Sequence, residues 1–208
     1  MPREYEKAVL KLVKELTSGA IIEQSTSGCE WLTRLGPVEC GKSWSLICDI
    51  YSALTNQVLP EPMPPLRKRQ VDAVLQLANS VPRIIEVDEA QHFNPYRAAT
   101  FRFYPPAMPL AFDRNAWIDR SQKKERLETG NFDKPAPPLF DLEHGRHRQR
   151  AFYDALCDIL PPDHDFLPTR RIAYFEVTCW DKENKTWFDE NDARKKVKGV
   201  LVDRKILS

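Results

Sequence analysis

The chain has 208 residues, of which 31 are lysine or arginine and 30 are aspartate or glutamate, so its formal net charge is +1. This length suffices for one domain with a substantial core and is too short for two large ones. The nearly neutral charge excludes a histone-like basic protein and an acidic solvating tail, although a neutral protein can still present a local basic groove to nucleic acid.

The N-terminal third is predicted to be mainly helical. Apolar residues recur at helical spacing over residues 5–16, which predicts a first helix. Residues 20–42 lack a regular pattern, and a second helix is expected after Ser43. The proline-rich stretch 59–65 closes this part, so residues 1–65 are predicted to be a helical segment packed on the core.

An α/β core is predicted for residues 66–180. Apolar and polar residues alternate over 71–77, and an apolar run at 83–88 follows a short turn, so the two strands are expected to form a hairpin. An amphipathic helix is predicted over 147–160. The last core strand is predicted over 170–177, after two prolines that end this helix.

The remaining segments are predicted to lie outside this core. A long insertion is expected at about 105–146, with a short helix near 117–127 and a polar loop over 129–138. A charged C-terminal tail is expected over 181–208, with a last helix around 189–198.

The cysteines and the apolar stretches bear on the compartment. The chain has five cysteines and no C-x-x-C pair, which favours a reduced, cytoplasmic protein without a structural zinc site. No stretch approaches the ~20 apolar residues of a membrane span. The N-terminus is charged, so no signal peptide is expected.

The sharpest chemical feature is a pair of acids in the strand at 83–88. Strand periodicity places Glu86 and Asp88 on one face, and burying two neighbouring carboxylates is costly unless a cation lies between them. Asp72 lies on the partner strand, where pairing across the turn would bring it towards both. Carboxylate oxygens suit a hard divalent ion, so these three residues are predicted to bind Mg²⁺, or Mn²⁺ in its place. The alternative is a sheet end whose acids face water.

A family resemblance rests on the same part of the chain. The matching positions are Asp72, a hairpin, Glu86-x-Asp88 and Gln91-His92. This pattern resembles the core of the PD-(D/E)xK, or restriction-endonuclease-like, superfamily. Within it, the pattern is most similar to the branch of the very-short-patch repair endonucleases and related uncharacterised bacterial domains. The resemblance covers residues 70–180. It implies a central mixed sheet flanked by helices, with one helix between the site strand and the last core strand.

The resemblance also implies roles for individual residues. Asp72 and Glu86 would hold the metal, with Asp88 as a third ligand or water-positioning group. Gln91 or His92 would orient the nucleophile or protonate the leaving oxygen. The expected activity is therefore hydrolysis of phosphodiester bonds.

Two positions depart from the family pattern. Asp88 stands where a lysine is usual, and Val71 rather than proline precedes Asp72. One of four side chains would have to replace the lysine: Gln91, His92, Lys68 or Arg97. Candidate contacts to phosphates are Lys68, Arg97, Arg146, Arg148 and Arg150. For the basic run that contains the last three, the alternative is a solvated helix start.

A second motif competes with this interpretation. The stretch from Gly36 to Ser43 matches G-x-x-x-x-G-K-[ST], with Gly41 and Lys42 at the motif positions, and it opens a helix. In a P-loop nucleotide hydrolase its backbone N–H groups would cradle phosphates. The preceding stretch is too charged for a buried parallel strand, and regular alternation of strands and helices is sparse further on. We therefore expect a chance match.

The sequence thus predicts a metal-dependent nuclease of the restriction-endonuclease type, with DNA the favoured nucleic acid and no membrane partner. A catalytically inactive binding module of the same fold remains an alternative, which the absent lysine favours. The P-loop nucleotide hydrolase is a second alternative. The oligomeric state is left open.

Overall fold

The computed structural model describes residues 2–18, 20–23, 29–64, 71–123, 127 and 129–203. Its α-helices are α1 (Pro2–Thr17), α2 (Pro37–Cys40), α3 (Trp44–Thr55), α4 (Pro95–Thr100), α5 (Arg114–Gln122), α6 (Gly145–Ile159) and α7 (Glu190–Asp203). Its strands are β1 (Ala20–Glu23), β2 (Ala73–Gln76), β3 (Arg83–Asp88), β4 (Leu167–Ala173), β5 (Trp180–Asp181) and β6 (Thr186–Trp187). Short 3-10 helices lie at Glu30–Leu32, Gly41–Ser43, Ala90–His92, Phe101–Phe103, Gly130–Phe132 and Pro161–His164. None of the described helices combines the length and the apolar character that a membrane crossing requires.

A four-stranded mixed sheet forms the centre of the fold, with the strand order β1-β2-β3-β4. β2 pairs antiparallel with both β1 and β3, whereas β4 runs parallel to β3. A parallel pair needs a crossover connection, and α6 lies in that connection. The predicted α/β class and the hairpin of β2 and β3 are confirmed. β5 and β6 form a separate antiparallel ribbon.

The two faces of the sheet are covered by different helices. Along β3, Ile85 and Val87 pack in a cluster with apolar residues of α1 and α7. Ile84 packs instead in a cluster with residues of α3, α5 and α6. Because successive side chains of a strand alternate between faces, Glu86 and Asp88 share the α6 side with Ile84.

The N-terminal segment contributes a strand as well as helices. β1 lies in the stretch that was predicted to be irregular, and its Ala20 is the register partner of Gln76 in β2. A strand of four residues is too short to show a period, and its partner lies more than 50 residues away, so no local signal marks it.

The C-terminal part also differs from the prediction. β4 ends at Ala173, before the predicted end, because residues 174–176 form a turn in which the Glu176 carboxylate accepts from the Ala173 N–H at 2.9 Å. α7 buries Ala193 and Val197 in the core that it shares with α1. It is therefore a packed layer of the fold rather than a charged tail.

The crossover helix α6 is confirmed as an amphipathic core element. Its buried residues include Phe152, Leu156 and Ile159. The helix begins at Gly145, where a Cβ atom would lie 2.1 Å from the Phe140 carbonyl oxygen, so the close approach of this loop requires glycine.

Replacing Leu156 with alanine is expected to lower the free energy of unfolding by about 2–5 kcal/mol, because the truncation leaves a cavity in a packed core. Leu156 is fully buried. Urea denaturation followed by circular dichroism measures the loss. Val58→Ala is the matched control, because Val58 is 91% exposed. A loss below about 1 kcal/mol for Leu156→Ala would show that this side of α6 is not tightly packed core.

Candidate active site

β3 ends in a buried carboxylate from which the candidate site is built. Asp88 is the last residue of the strand and is fully buried on the α6 side of the sheet. The chain then turns through the 3-10 helix Ala90–His92, which directs His92 back towards the strand end. Nδ1 of His92 lies 3.6 Å from Oδ1 of Asp88.

α6 brings a second carboxylate to the same point. Oδ2 of Asp154 lies 3.0 Å from Nδ1 of His92. The potential ligand atoms of Asp88, His92 and Asp154 all lie within 4.8 Å of one another, so these residues form a group that could hold a metal ion. We call them the Asp–His–Asp group. His92 is the most exposed member, with 16% of its side chain accessible, so it lies between the buried acids and the surface.

β4 places a guanidinium group beside these acids. Parallel pairing puts Arg171 in register with Glu86, and its side chain is completely buried. Its Nη1 lies 2.6 Å from Oδ1 of Asp88 and 3.4 Å from Oδ1 of Asp154. Its Nε donates to Oδ1 of Asp158 at 2.7 Å. One arginine therefore contacts three buried carboxylates.

Side chains from the stretch between β3 and α6 complete the hydrogen-bond network around these acids. The indole Nε1 of Trp117, on α5, donates to Oδ2 of Asp88 at 2.7 Å. Asp158 accepts from Arg97 at 2.5 Å and from the Tyr104 hydroxyl at 2.7 Å. Each of these partners is buried, so the hydrogen bonds satisfy polar groups that water does not reach.

The charges of the network shift the pKa values of its members. Burial alone would lower the pKa of His92, but the carboxylates of Asp154 and Asp88 outweigh it and raise the pKa. Burial alone would raise the pKa of Asp154, but His92 and Arg171 hold it well below its usual range. Three buried carboxylates here face two buried guanidinium groups, those of Arg97 and Arg171. This deficit of positive charge favours an additional cation, either a protonated His92 or a metal ion.

Asp72 and Glu86, the other two predicted metal ligands, lie outside the Asp–His–Asp group. Oδ2 of Asp72 accepts from the backbone N–H of Val87 at 2.8 Å, so this carboxylate extends the hydrogen bonding of the hairpin. Burial, together with the charge of Glu6, raises the pKa of Asp72 to about 7. Glu86 is buried below α6 and accepts a 3.7 Å contact from the Cys157 thiol. Of the three predicted ligands, Asp88 belongs to the Asp–His–Asp group, and Asp72 lies close enough to His92 and Asp88 for their charges to act on its pKa.

The remaining predicted site residues separate into internal and accessible groups. Gln91 donates from its amide to the Glu89 carboxylate at 2.5 Å. Arg97 is only 1% exposed because it pairs with Asp158, which corrects the expectation that it contacts nucleic acid. Arg148 donates to the Glu143 carbonyl at 3.1 Å and lies 4.2 Å from the centre of the Tyr96 ring, so its guanidinium links α6 to α4 and to the loop before α6.

Two predicted phosphate contacts stay accessible on α6. Arg146 is exposed, and Arg150 is partly exposed. Arg150 lies close enough to Glu89 and His92 for its charge to oppose the rise of their pKa values. The basic cluster with Lys68 lies outside the described residues.

The P-loop match has none of the expected surroundings. Within residues 29–36 no strand leads to Gly36, and the Cys40 N–H is used in a helical hydrogen bond to the Gly36 carbonyl. Nζ of Lys42 lies 2.9 Å from Oδ1 of Asp163, and the Ser43 hydroxyl donates to Oδ2 of the same residue at 3.0 Å. The segment thus connects to the 3-10 helix Pro161–His164.

Replacing Lys42 with alanine is expected to change the free energy of unfolding by no more than about 0.5 kcal/mol, because an exposed ion pair contributes little. The Lys42 side chain is 83% exposed. Thermal unfolding with and without ATP is the measurement, and ATP should shift neither protein. Stabilisation of the wild type by ATP that is lost in Lys42→Ala would restore the P-loop interpretation.

Sequence reasoning missed Asp154 and Arg171 as site residues. Both are charged residues inside segments that pattern analysis assigns to the core, and a buried charge needs a partner. A charged residue on a predicted apolar helix side is the sequence signal that could have identified Asp154. Asp154 and Asp158 interrupt the apolar side of α6 one turn apart. The sequence does not identify the partner, which depends on the crossing of α6 over β4.

No family model matches the chain, and neither the curated proteins nor the solved structures yield a match.

Proposed function

We propose that the chain is a metal-dependent nuclease that hydrolyses phosphodiester bonds, with a fold of the restriction-endonuclease type. The observation that supports this function best is the Asp–His–Asp group at the carboxyl end of β3. It combines carboxylates for a divalent cation with a histidine that reaches towards the surface.

The connectivity supports the same family. The antiparallel strands β2 and β3 are followed by α4, α5 and α6 and then by β4, which is parallel to β3. α6 thus lies between the strand that ends in the candidate site and the last core strand, as the resemblance implies, while α4 and α5 precede it in the same connection. Asp88 of β3 and Asp154 of α6 meet on one face of the sheet, where both contact Arg171.

The donor set is chemically suited to a divalent cation. Asp88 and Asp154 offer carboxylate oxygens, while Nδ1 of His92 stays bonded to Asp154 and leaves this histidine for proton transfer. Carboxylates suit both Mg²⁺ and Mn²⁺, but Mg²⁺ demands near-ideal octahedral geometry. When bound, such an ion supplies a Lewis acid beside the phosphate. We therefore propose Mn²⁺ as the first cofactor to test and Mg²⁺ as the second.

The protein groups have separate tasks in this proposal. Asp154 engages Nδ1 of His92, which orients the ring and leaves Nε2 to exchange a proton with the attacking water or the leaving oxygen. Arg171 and Trp117 each bind one oxygen of Asp88, which fixes the direction of that carboxylate. Nucleic acid is held through its phosphates by Arg146 and Arg150 at the start of α6.

Manganese titration combined with a cleavage assay tests the function. Isothermal calorimetry should detect Mn²⁺ binding to the wild type, and labelled DNA or RNA strands should be cut with Mn²⁺ and not with EDTA. Asp154→Asn should lose both, because the amide removes a negative ligand and the partner of His92. Asp141→Asn is the matched control, since Asp141 is exposed and should behave as the wild type. A wild type that takes up no divalent cation contradicts the proposal.

A second candidate is a nucleic-acid-binding module without catalysis. The observation that favours it is the contact of Arg171 with both Asp88 and Asp154, because this arginine already neutralises part of the charge that would attract a metal. In that case nucleic acid binds with equal affinity in EDTA and in Mn²⁺, and no cleavage follows. The same titration therefore separates the two candidates.

A further inference from the structure

A second group of reactive side chains lies between the loop after β4 and α7. The thiol of Cys179 donates to Oδ2 of Asp192 at 2.8 Å, and Nζ of Lys196 lies 3.2 Å from Sγ of Cys179. Nζ of Lys196 also lies 2.9 Å from Oδ2 of Asp192 and donates to the Thr178 hydroxyl at 3.0 Å. A thiol and an amine are thus in direct contact, and one carboxylate contacts both.

We infer that Cys179 and Lys196 are the site of an oxidative cross-link, a covalent bond between Sγ and Nζ formed in the presence of a hydroperoxide. Contact between the two reacting atoms is the feature that favours this product. It replaces an encounter between separate groups by a reaction within one preformed pair. The inference is independent of the proposed nuclease function.

The chemistry takes place in two balanced steps. In the first, Sγ attacks the peroxide, the O–O bond breaks, the sulfur is oxidised to a sulfenic acid and the peroxide is reduced to water or an alcohol. In the second, the Nζ lone pair attacks this sulfur, the S–O bond breaks and water leaves. One thiol, one amine and one hydrogen peroxide give one S–N bond and two waters.

Asp192 is placed to handle the protons of both steps. Its Oδ2 atom already accepts from the thiol, so it can take the thiol proton as sulfur attacks the peroxide and pass it to the leaving oxygen. The same atom lies against Nζ, so in the second step it can take the ammonium proton, free the lone pair and return that proton to the hydroxyl that leaves the sulfur as water. Cys179 itself is only 6% exposed, but the Lys196 side chain that contacts it is 36% exposed. A small oxidant can therefore approach the pair from the Lys196 side.

The cross-link would fasten α7 to the end of the sheet. Val197 and Leu201 of α7 belong to one apolar cluster with residues of α1 and β3, and Arg194 of α7 pairs with Glu15 of α1. A bond between residues 179 and 196 closes a loop that contains the β5–β6 ribbon and the first half of α7. Such a closed loop reduces the freedom of the unfolded chain, as a disulfide does. The oxidised protein should therefore resist denaturant better than the reduced one.

Peptide mapping of the full chain after treatment with hydrogen peroxide tests the inference. In the wild type, the peptides with Cys179 and Lys196 should run as one species whose mass is the sum of both less two hydrogens. Dithiothreitol should separate them. In Lys196→Arg the linked species should be absent, and dimedone, which traps sulfenic acids, should label Cys179 more than in the wild type. Cys48, half-buried on α3, serves as an internal control that should not appear in a peptide linked to Lys196.

Two results would overturn the inference. One is a wild type in which Cys179 proceeds to sulfinic acid with no linked peptide. The other is equal dimedone labelling of Cys179 in the wild type and in Lys196→Arg, because it would show that the amine does not compete for the sulfur. The wild-type result alone decides the case if Lys196→Arg fails to fold.

Discussion

Replacing Arg171 with leucine is expected to lower the free energy of unfolding by about 3–5 kcal/mol, because it leaves buried carboxylates without their counter-charge. The Arg171 side chain is completely buried and contacts Asp88, Asp154 and Asp158. Leucine fills part of the volume, so the loss reports mainly the uncompensated charge. Urea denaturation at pH 7 is the measurement.

Arg102→Leu is the matched control for this substitution. Arg102 is exposed, so the same change there should alter the free energy of unfolding by no more than about 0.5 kcal/mol. Arg171→Lys should lie between the wild type and Arg171→Leu, since lysine keeps the charge and loses the planar fork. A loss below about 1 kcal/mol for Arg171→Leu would show that the three acids do not depend on this arginine.

The loss of unfolding free energy caused by Arg171→Leu should decrease as the pH is lowered. In the wild type the pKa of Asp154 is lower in the folded than in the unfolded protein. Asp154 therefore stabilises the fold at pH values above its unfolded pKa of about 3.9, and this contribution is lost as the pH falls towards its folded pKa. Without Arg171 the pKa of Asp154 rises, so protonation relieves the buried charge. The difference between variant and wild type should therefore shrink from pH 7 to pH 4.

The elements that sequence patterns predicted best are those whose own residues show a period. The α6 helix belongs to this class, because Phe152 and Leu156 lie one turn apart. The β3 strand was also predicted, from the continuous apolar run that Ile84 and Ile85 begin. β1 was not, since its pairing with β2 is decided by a distant partner. The position of each helix on the sheet was likewise not readable from local pattern.

In the candidate site, too, the contacts between residues close in sequence were predicted and those between distant residues were not. Asp88 and His92 were found together because they are four residues apart and a single turn joins them. Asp154 lies 62 residues from His92, and Arg171 lies 83 residues from Asp88. Those contacts depend on the register of β3 with β4 and on the path of α6, and neither is encoded by a local motif. Hairpin pairing brings Asp72 within electrostatic range of Asp88, but its carboxylate binds the Val87 N–H and lies outside the Asp–His–Asp group.

For the proposed nuclease activity, replacing His92 with glutamine is expected to lower kcat in Mn²⁺ by about 10²–10⁴-fold, the usual contribution of a positioned acid or base. Glutamine has a similar size and keeps an N–H donor for Asp154, so the fold should persist. KM should change little, because the proton transfer is made in the transition state. His164→Gln is the matched control, because His164 lies outside the Asp–His–Asp group. It ends the 3-10 helix Pro161–His164, and its ring stacks on that of Trp31. Wild-type kcat in His92→Gln would assign this histidine a structural role, while equal losses in both variants would point to damage of the fold.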